Sequence, residues 1–381
     1  VCSKAVSINQ LINYLSTEGE VKMASTKINF TDSVSINELR TLIPLIGSEL
    51  TPIIQSEPGC GKTSLLKMIE EDYGDKYDYI YVDCPVKDMS DIGMVIPNHE
   101  TRTLEYYVSS LFNLQDPRPK VILLDEFMKA PKLLQVIFTR LCLERMVGDV
   151  PLPKGSIVFG TSNNASDGVG DSMLAHAGNR VCILRMAKPS VNDWLQWASE
   201  NGISKVIRAG VSLYTRCLAS YMDGGQEDNP YIFKPNMSSL SFVSPRSLAK
   251  ADVIIKNQDR LTENSLNCAL SGTVGASFAK DLSAFILLER VLVDTKDVIK
   301  KPDTIEVPRE ISAQIMMMFQ AVDVLDNQDD LSKFMVFVNR IPSEEIQSIF
   351  FTMMMRGKNS VRIARNNEQI RVWASKNHDL F

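Results

Sequence analysis

From about residue 36 to residue 188, short apolar runs alternate with amphipathic stretches, the pattern of a parallel sheet flanked by helices. The runs expected to be strands are 52–55, 79–82, 121–124, 157–161 and 181–185. Between the third and fourth, "KLLQVIFTRLCLERM" puts Leu133, Ile137, Phe138 and Leu141 on one helical face, expected to pack on the sheet. "MVGDVPLPKGS" (146–156), with glycine, aspartate and two prolines, reads as a protruding hairpin or loop. After Pro189 the alternation stops. The rest reads as helices broken by polar turns such as "DGGQEDNP" (223–230) and "DNQDD" (326–330), without internal repeats or low-complexity segments.

A chain of 381 residues is too long for one compact core, so two or three domains are expected. At 44% hydrophobic and 23% charged it has the make-up of a globular protein. A net charge of −5 argues against a protein whose main task is to wrap nucleic-acid phosphates, although it leaves room for a small basic patch. The longest apolar runs, such as 121–124, fall far short of the roughly 20 residues a transmembrane helix needs, so no membrane partner is expected. The start lacks the basic stretch and apolar block of a secretion signal. Because Met23 opens "MASTKINF", residues 1–22 read as an upstream extension. Seven cysteines without a CxxC pair read as reduced thiols of a cytosolic protein. Three separated histidines do not make a transition-metal site.

The candidate chemistry starts at "QSEPGCGKTS" (55–64), which a strand precedes and a helix follows. A phosphate-binding loop needs a tight turn whose backbone N–H groups face phosphate oxygens just ahead of a helix N-terminus. Gly59 and Gly61 give the turn its freedom, Lys62 can reach the β- and γ-phosphates, and the Thr63 hydroxyl can bind Mg²⁺. Ser56 stands where the usual pattern opens with glycine, and Cys60 puts a thiol in mid-loop. If the Cys60 thiol lines the cradle, alkylating it should block ATP binding and bound ATP should protect it. About sixty residues on, "VILLDEF" (121–127) is an apolar strand ending in two carboxylates. Asp125 can hold the Mg²⁺ shell and Glu126 can polarise the attacking water. "SIVFGTSNNAS" (156–166) ends in amides, of which Asn163, or its neighbour Asn164, can orient that water. Arg180, in "LAHAGNRV", is placed to reach the γ-phosphate of a neighbouring subunit. Arg246, in "FVSPRSL", opens a helix suited to meeting the nucleotide from a lid.

In order and spacing, "EPGCGKT", "LDEFMKAPKLLQ", "LERMVGDVPLPKGSIVFGTSN", "NRV" and "SPRSL" resemble the MoxR-like branch of the AAA+ ATPases, in a phage and bacterial subgroup. "SGTVGASFAKDLSAF" (271–285), "VNRIPSEE" (338–345) and "RVWASKNHDLF" (371–381) resemble the helical C-terminal region of that subgroup. The resemblance implies an α/β P-loop core with a helical lid and an additional helical C-terminal region. The corresponding segments are an extension at 1–25, the core at 26–188, the lid at 189–262 and the C-terminal region at 263–381. It implies a binding loop of Pro58, Gly59, Cys60, Gly61, Lys62, Thr63 and Ser64 (Walker A), with Asp125 and Glu126 as Walker B and Asn163 as sensor 1. Arg180 becomes the arginine finger and Arg246 sensor 2, with ATP and Mg²⁺ as ligands. Segment 90–107 resembles the helix-2 insert and 144–156 the hairpin before sensor 1, which in such proteins line the pore of a hexameric ring. Departures from the family are Ser56, Cys60 and Val181, where phenylalanine is common.

The expected function is ATP hydrolysis by a cytoplasmic homo-oligomeric ring, in a bacterial or phage-infected cell, that remodels a protein client. A von Willebrand A-type protein is the partner the resemblance implies. Two alternatives remain: a motor or loader acting on nucleic acid, with His99, Arg102, Arg145 and Lys154 as its basic supply, and an ATP-binding assembly switch with negligible turnover. The methionine runs 316–318 and 353–355 read as helix core and Arg362, Arg365 and Arg371 as a solvated face. Trp194 and Trp197 read as lid packing.

Overall fold

The computed structural model describes residues 33–164, 181–235 and 240–378. Its strands in chain order are β1 (Pro52–Ser56), β2 (Asp78–Asp83), β3 (Gly93–Asn98), β4 (Thr103–Val108), β5 (Lys120–Asp125), β6 (Met146–Val147), β7 (Val150–Pro151), β8 (Ile157–Asn163) and β9 (Cys182–Arg185). Five of them form one parallel sheet in the order β2-β5-β8-β1-β9. All five expected strands are present.

The unbroken apolar runs follow from burial on both faces of that sheet. Successive side chains point to opposite sides, so Ile53, Ile122, Leu124 and Val158 join one core and Ile54, Val121, Leu123 and Phe159 the other. The second core is covered by α1 (Ile36–Ile46) and α2 (Ser64–Tyr73), through Leu39, Ile43, Leu65 and Ile69. Helix α1 starts at Ser35, whose hydroxyl accepts from the Glu38 N–H while the Glu38 carboxylate accepts from the Ser35 N–H, a reciprocal cap worth about 1 kcal/mol.

A short α3 (Met89–Ile92) leads into the antiparallel β3–β4 hairpin, and α4 (Lys132–Glu144) covers the first core. The buried face of α4 is Leu134, Phe138, Leu141 and Cys142; Leu133 is exposed and Ile137 only partly buried. The expected face is thus rotated by one position. Helix α4 is apolar nearly all round, so its periodicity could not choose a face, and contact with the sheet did. Residues 146–151 do form a hairpin, β6–β7. Gly148 lies in its turn at φ 58°, and a Cβ there would overlap the Tyr106 ring of β4. Glycine is what lets the two hairpins touch.

Beyond β9 the described residues are helical: α5 (Val191–Glu200), α6 (Lys205–Leu213), α7 (Pro245–Lys256), α8 (Glu263–Val274), α9 (Ala276–Glu289), α10 (Thr295–Lys300), α11 (Ile311–Val324), α12 (Gln328–Val338), α13 (Glu344–Arg356), α14 (Ser360–Ala364) and α15 (Glu368–Lys376). One continuous hydrophobic core runs from Trp194 in α5 to Ile370 in α15. Met316, Met317, Met318, Met353 and Met354 lie inside it, as helix core. Trp194 packs there, whereas Trp197 is largely exposed. Arg362, Arg365 and Arg371 face solvent. Buried Arg208 of α6 pairs with Asp323 and stacks 5.2 Å over the Phe319 ring, tying α6 to α11. The architecture is the expected α/β core, a parallel sheet flanked by helices, with a helical lid and a further helical C-terminal region. Among the described residues no helix is long and apolar enough to cross a membrane.

Candidate functional site

In the strand order, β2 lies toward one edge of the sheet from β1, whereas β9 lies toward the opposite edge from the neighbouring β8. Such a switch of direction opens a crevice at the carboxyl ends of the strands, where ligands of open α/β sheets bind. A cleft of about 520 Å³ lies there, lined by Pro58, Gly59, Cys60, Gly61, Lys62 and Thr63 from the loop after β1, by Asp125, Glu126 and Asn163, and by Arg246 from α7. The loop turns through positive φ at Gly59 (79°) and Gly61 (94°), which only glycine adopts without strain. Ser64 is not part of the lining; its hydroxyl donates to the Gly61 carbonyl at 2.6 Å and braces the loop.

Lys62 is 8% exposed, and its ammonium donates to the Ser56 carbonyl (3.0 Å), the Ser56 hydroxyl (3.1 Å), the Glu57 carbonyl (3.2 Å) and Asn163 Oδ1 (3.1 Å). Ser56, the departure from the usual loop, therefore holds the lysine. Asn163 reaches it because β1 and β8 pair with Ser56 opposite Asn163. Asn164 is buried beside it and does not line the cleft.

Asp125 ends β5, and its carboxylate accepts from Thr63 Oγ1 (3.2 Å), from Thr161 Oγ1 and from the Tyr81 hydroxyl (2.9 Å). Burial, then the Asp125 carboxylate, pushes the Tyr81 phenol well above its ordinary range, so it stays a donor. Thr63 and Asp125 offer only oxygen ligands, one of them anionic. That donor set fits Mg²⁺, which keeps several waters and takes phosphate oxygens rather than a full protein cage.

Glu126 follows at φ 51°, ψ 39°, a left-handed conformation unusual outside glycine. Its N–H donates to Thr161 Oγ1 (3.1 Å), and its carboxylate pairs with Lys129 Nζ at 2.6 Å. Arg246 stands in the first turn of α7, with its N–H donating to the Gly59 carbonyl at 3.1 Å. Arg180 lies outside the described residues.

Sequence reasoning missed Tyr81, Asp83, Pro85 and Val86, which line the cleft from β2 and the turn after it. The alternation of "YIYVD" announced a strand, but only the register that sets Asp83 opposite Asp125 brings this edge to the site. It also missed Thr161, whose hydroxyl organises Asp125 and Glu126.

Cys60 is part of the cleft lining, but its thiol is not readily alkylated. It is buried, and burial above all pushes it up to about 11, with the Glu57 carboxylate opposing the nearby Lys188 and Lys62. At pH 8 about one thiol in a thousand is thiolate, the form that reacts. Alkylation of Cys60 is therefore expected to run at least about 100-fold slower than that of exposed Cys268, with or without nucleotide. Peptide mapping after timed iodoacetamide treatment measures both; equal rates would contradict the burial.

A model of the viral superfamily 1 RNA helicase core domain matches residues 53–149, well under half of the chain and the part that carries β1 to β6. No curated protein matches the sequence. Solved structures with some likeness include a candidate ATPase from Cytophaga hutchinsonii (14% identical, TM-score 0.32, covering 73% of this chain and 92% of that one). NtrX from Brucella abortus in complex with ATP is 13% identical, with a TM-score of 0.37, 92% of this chain and 69% of that one. A mutant of RuvB from Thermotoga maritima is 11% identical, with a TM-score of 0.35, 71% of this chain and 79% of that one. At scores and identities this low, these likenesses carry no argument about activity. The fold and the cleft define the class: a parallel α/β core whose phosphate-type loop opens a nucleotide-sized cleft.

Proposed function

We propose that this chain is an ATP hydrolase that works as a ring, organised like the MoxR-like AAA+ ATPases. The observation that carries the hydrolase reading is the convergence of Lys62, Thr63, Asp125, Glu126 and Asn163 on one cleft at the ends of the adjacent strands β1, β8 and β5. The backbone N–H groups of the loop and the N-terminus of α2 take the phosphates. Lys62 exchanges its carbonyl acceptors for phosphate oxygens. Thr63 and Asp125 would hold Mg²⁺, which would supply charge neutralisation on the phosphates. Glu126, released from Lys129, orients the attacking water and accepts its proton. Asn163 keeps Lys62 aligned, and Arg246 meets the nucleotide from the lid. Arg180, by the family resemblance, completes the site of the adjacent subunit.

The client we propose is a protein, of which a von Willebrand A-type domain is the candidate the resemblance offers. The β3–β4 hairpin supports that choice, since it exposes Met94, Val95, Ile96, Leu104 and Tyr107 rather than a basic row. The helicase-core match favours a second reading, an ATPase acting on nucleic acid. Its basic supply is smaller than the sequence promised. Arg145 is spent on the Gly47 carbonyl (2.8 Å), the Thr51 hydroxyl (2.8 Å) and the Cys142 carbonyl.

Phosphate release per subunit across a range of protein concentrations tests the ring. Turnover is expected to rise with concentration, and Arg180→Ala to lower it at least about tenfold with ATP affinity unchanged. Turnover that is flat and indifferent to Arg180 means a self-contained site and ends the ring reading. Stimulation by RNA or DNA favours the second reading. A nucleotide-dependent change of particle size without phosphate release identifies an assembly switch.

A further inference from the structure

Glu57 follows β1 directly and is 3% exposed, an unusual place for a carboxylate in a loop that receives phosphates. Its main chain faces the cleft: the Glu57 carbonyl accepts from Lys62 Nζ at 3.2 Å. Its side chain turns the other way. The carboxylate pairs at 3.6 Å with Lys188, itself 5% exposed, and accepts from the Ser220 hydroxyl. The Lys188 ammonium also donates to the Ala219 carbonyl at 2.9 Å.

These partners sit at the joint between sheet and lid. Lys188 lies in the connection from β9, which ends at Arg185, to α5, which begins at Val191. Ala219 and Ser220 follow the turn after α6, and Ser220 is fixed by its N–H to Asp223 (2.9 Å) and by accepting from the Met222 N–H (3.0 Å). A second tie is made by main chain. The Arg246 N–H donates to the Gly59 carbonyl, and a Cβ on Gly59 would stand 2.6 Å from the Ser244 hydroxyl. Among the described residues, the loop after β1 thus meets the lid through a charged tie at Glu57 and a main-chain tie at Gly59.

A carboxylate and an ammonium this buried cost desolvation that an apolar pair would avoid, so the pair is weak evidence for stability. It is better explained by what it joins. Lys62, Glu57 and Lys188 form a line from the cleft to the hinge. Any shift of Lys62 toward phosphate oxygens loosens its bond to the Glu57 carbonyl, and Glu57 is the residue that grips the hinge. We infer that Glu57 is a positioning residue through which the phosphate loop sets the angle of the lid. The inference rests on the proposal that the cleft binds ATP.

The test uses the full chain with labels at exposed Cys268 in α8 and at Glu70→Cys in α2, after Cys2→Ser and Cys182→Ser. Distance between the labels, ATP affinity and turnover are measured for the parent, Glu57→Gln, Ser220→Ala and Ser220→Thr. In Glu57→Gln, ATP affinity is expected within about threefold of the parent, turnover at least about tenfold lower, and the ATP-dependent distance change at least halved. Ser220→Ala should move the same way by less, and Ser220→Thr, which keeps the hydroxyl, should behave as the parent. A folded Glu57→Gln with normal turnover and a normal distance change overturns the inference. So does a joint loss of affinity and turnover with the distance change intact, the mark of a merely structural pair. If Glu57→Gln does not fold, Ser220→Ala against Ser220→Thr decides alone. Failure of the nucleotide reading appears in the parent, as no ATP binding. Failure of the coupling appears against a parent that binds ATP, either in the variants or as a lid that stays still.

Discussion

Glu126→Gln is expected to lower phosphate release by about a thousandfold while leaving ATP affinity within about threefold. The residue sits in a left-handed conformation, held by its N–H to Thr161 and by the end of β5. Such a conformation costs of order 1–3 kcal/mol in a non-glycine residue and persists where surrounding structure imposes it. It leaves Glu126 in the cleft lining beside Asp125. Lys129 holds it there through an ion pair whose partners are 27% and 38% exposed, worth about 0–1 kcal/mol and easily opened. Glutamine keeps the shape and one hydrogen-bond acceptor but cannot take a proton. Only the chemical step should suffer, by about 4 kcal/mol of barrier. Single-turnover phosphate release with saturating ATP measures it. A loss smaller than about tenfold would remove Glu126 from the role of base.

Lys62→Ala is expected to weaken ATP binding at least about 100-fold, some 2.7 kcal/mol, and to abolish turnover. The ammonium is the buried cation of the loop wall, and phosphate oxygens would replace its carbonyl partners with charged ones. Without it the Ser56 and Glu57 carbonyls face the incoming anion unscreened. Thermal melts report the loss separately from turnover. ATP at 100 times the wild-type dissociation constant should stabilise the wild type by about 2.7 kcal/mol and the variant by no more than about 0.4 kcal/mol. An equal shift in both proteins would show that phosphate is held elsewhere.

Much of the core was legible because parallel strands buried on both faces leave continuous apolar runs, which local sequence records. The phosphate loop was legible for a similar reason: its turn, lysine and threonine lie within a few residues of one another. The face of α4 was not, since a helix apolar nearly all round has no preferred side until a sheet selects one. The low reactivity of Cys60 was not legible either, because its burial and charge surroundings come from distant segments, Lys188 among them.

By itself the sequence determined the strands, the loop chemistry of residues 58–63, the paired acids Asp125 and Glu126 and the helical character beyond Pro189, all encoded in spacings of a few residues. Tertiary structure alone decided that Ser56 and Asn163 share Lys62, that Tyr81 and Thr161 dress Asp125, and that Glu57 reaches Lys188 and Ser220. Each of those contacts joins residues brought together by strand order and register or by lid docking. Neither is a property of any local stretch, because both are set by how whole elements bury their apolar faces against one another.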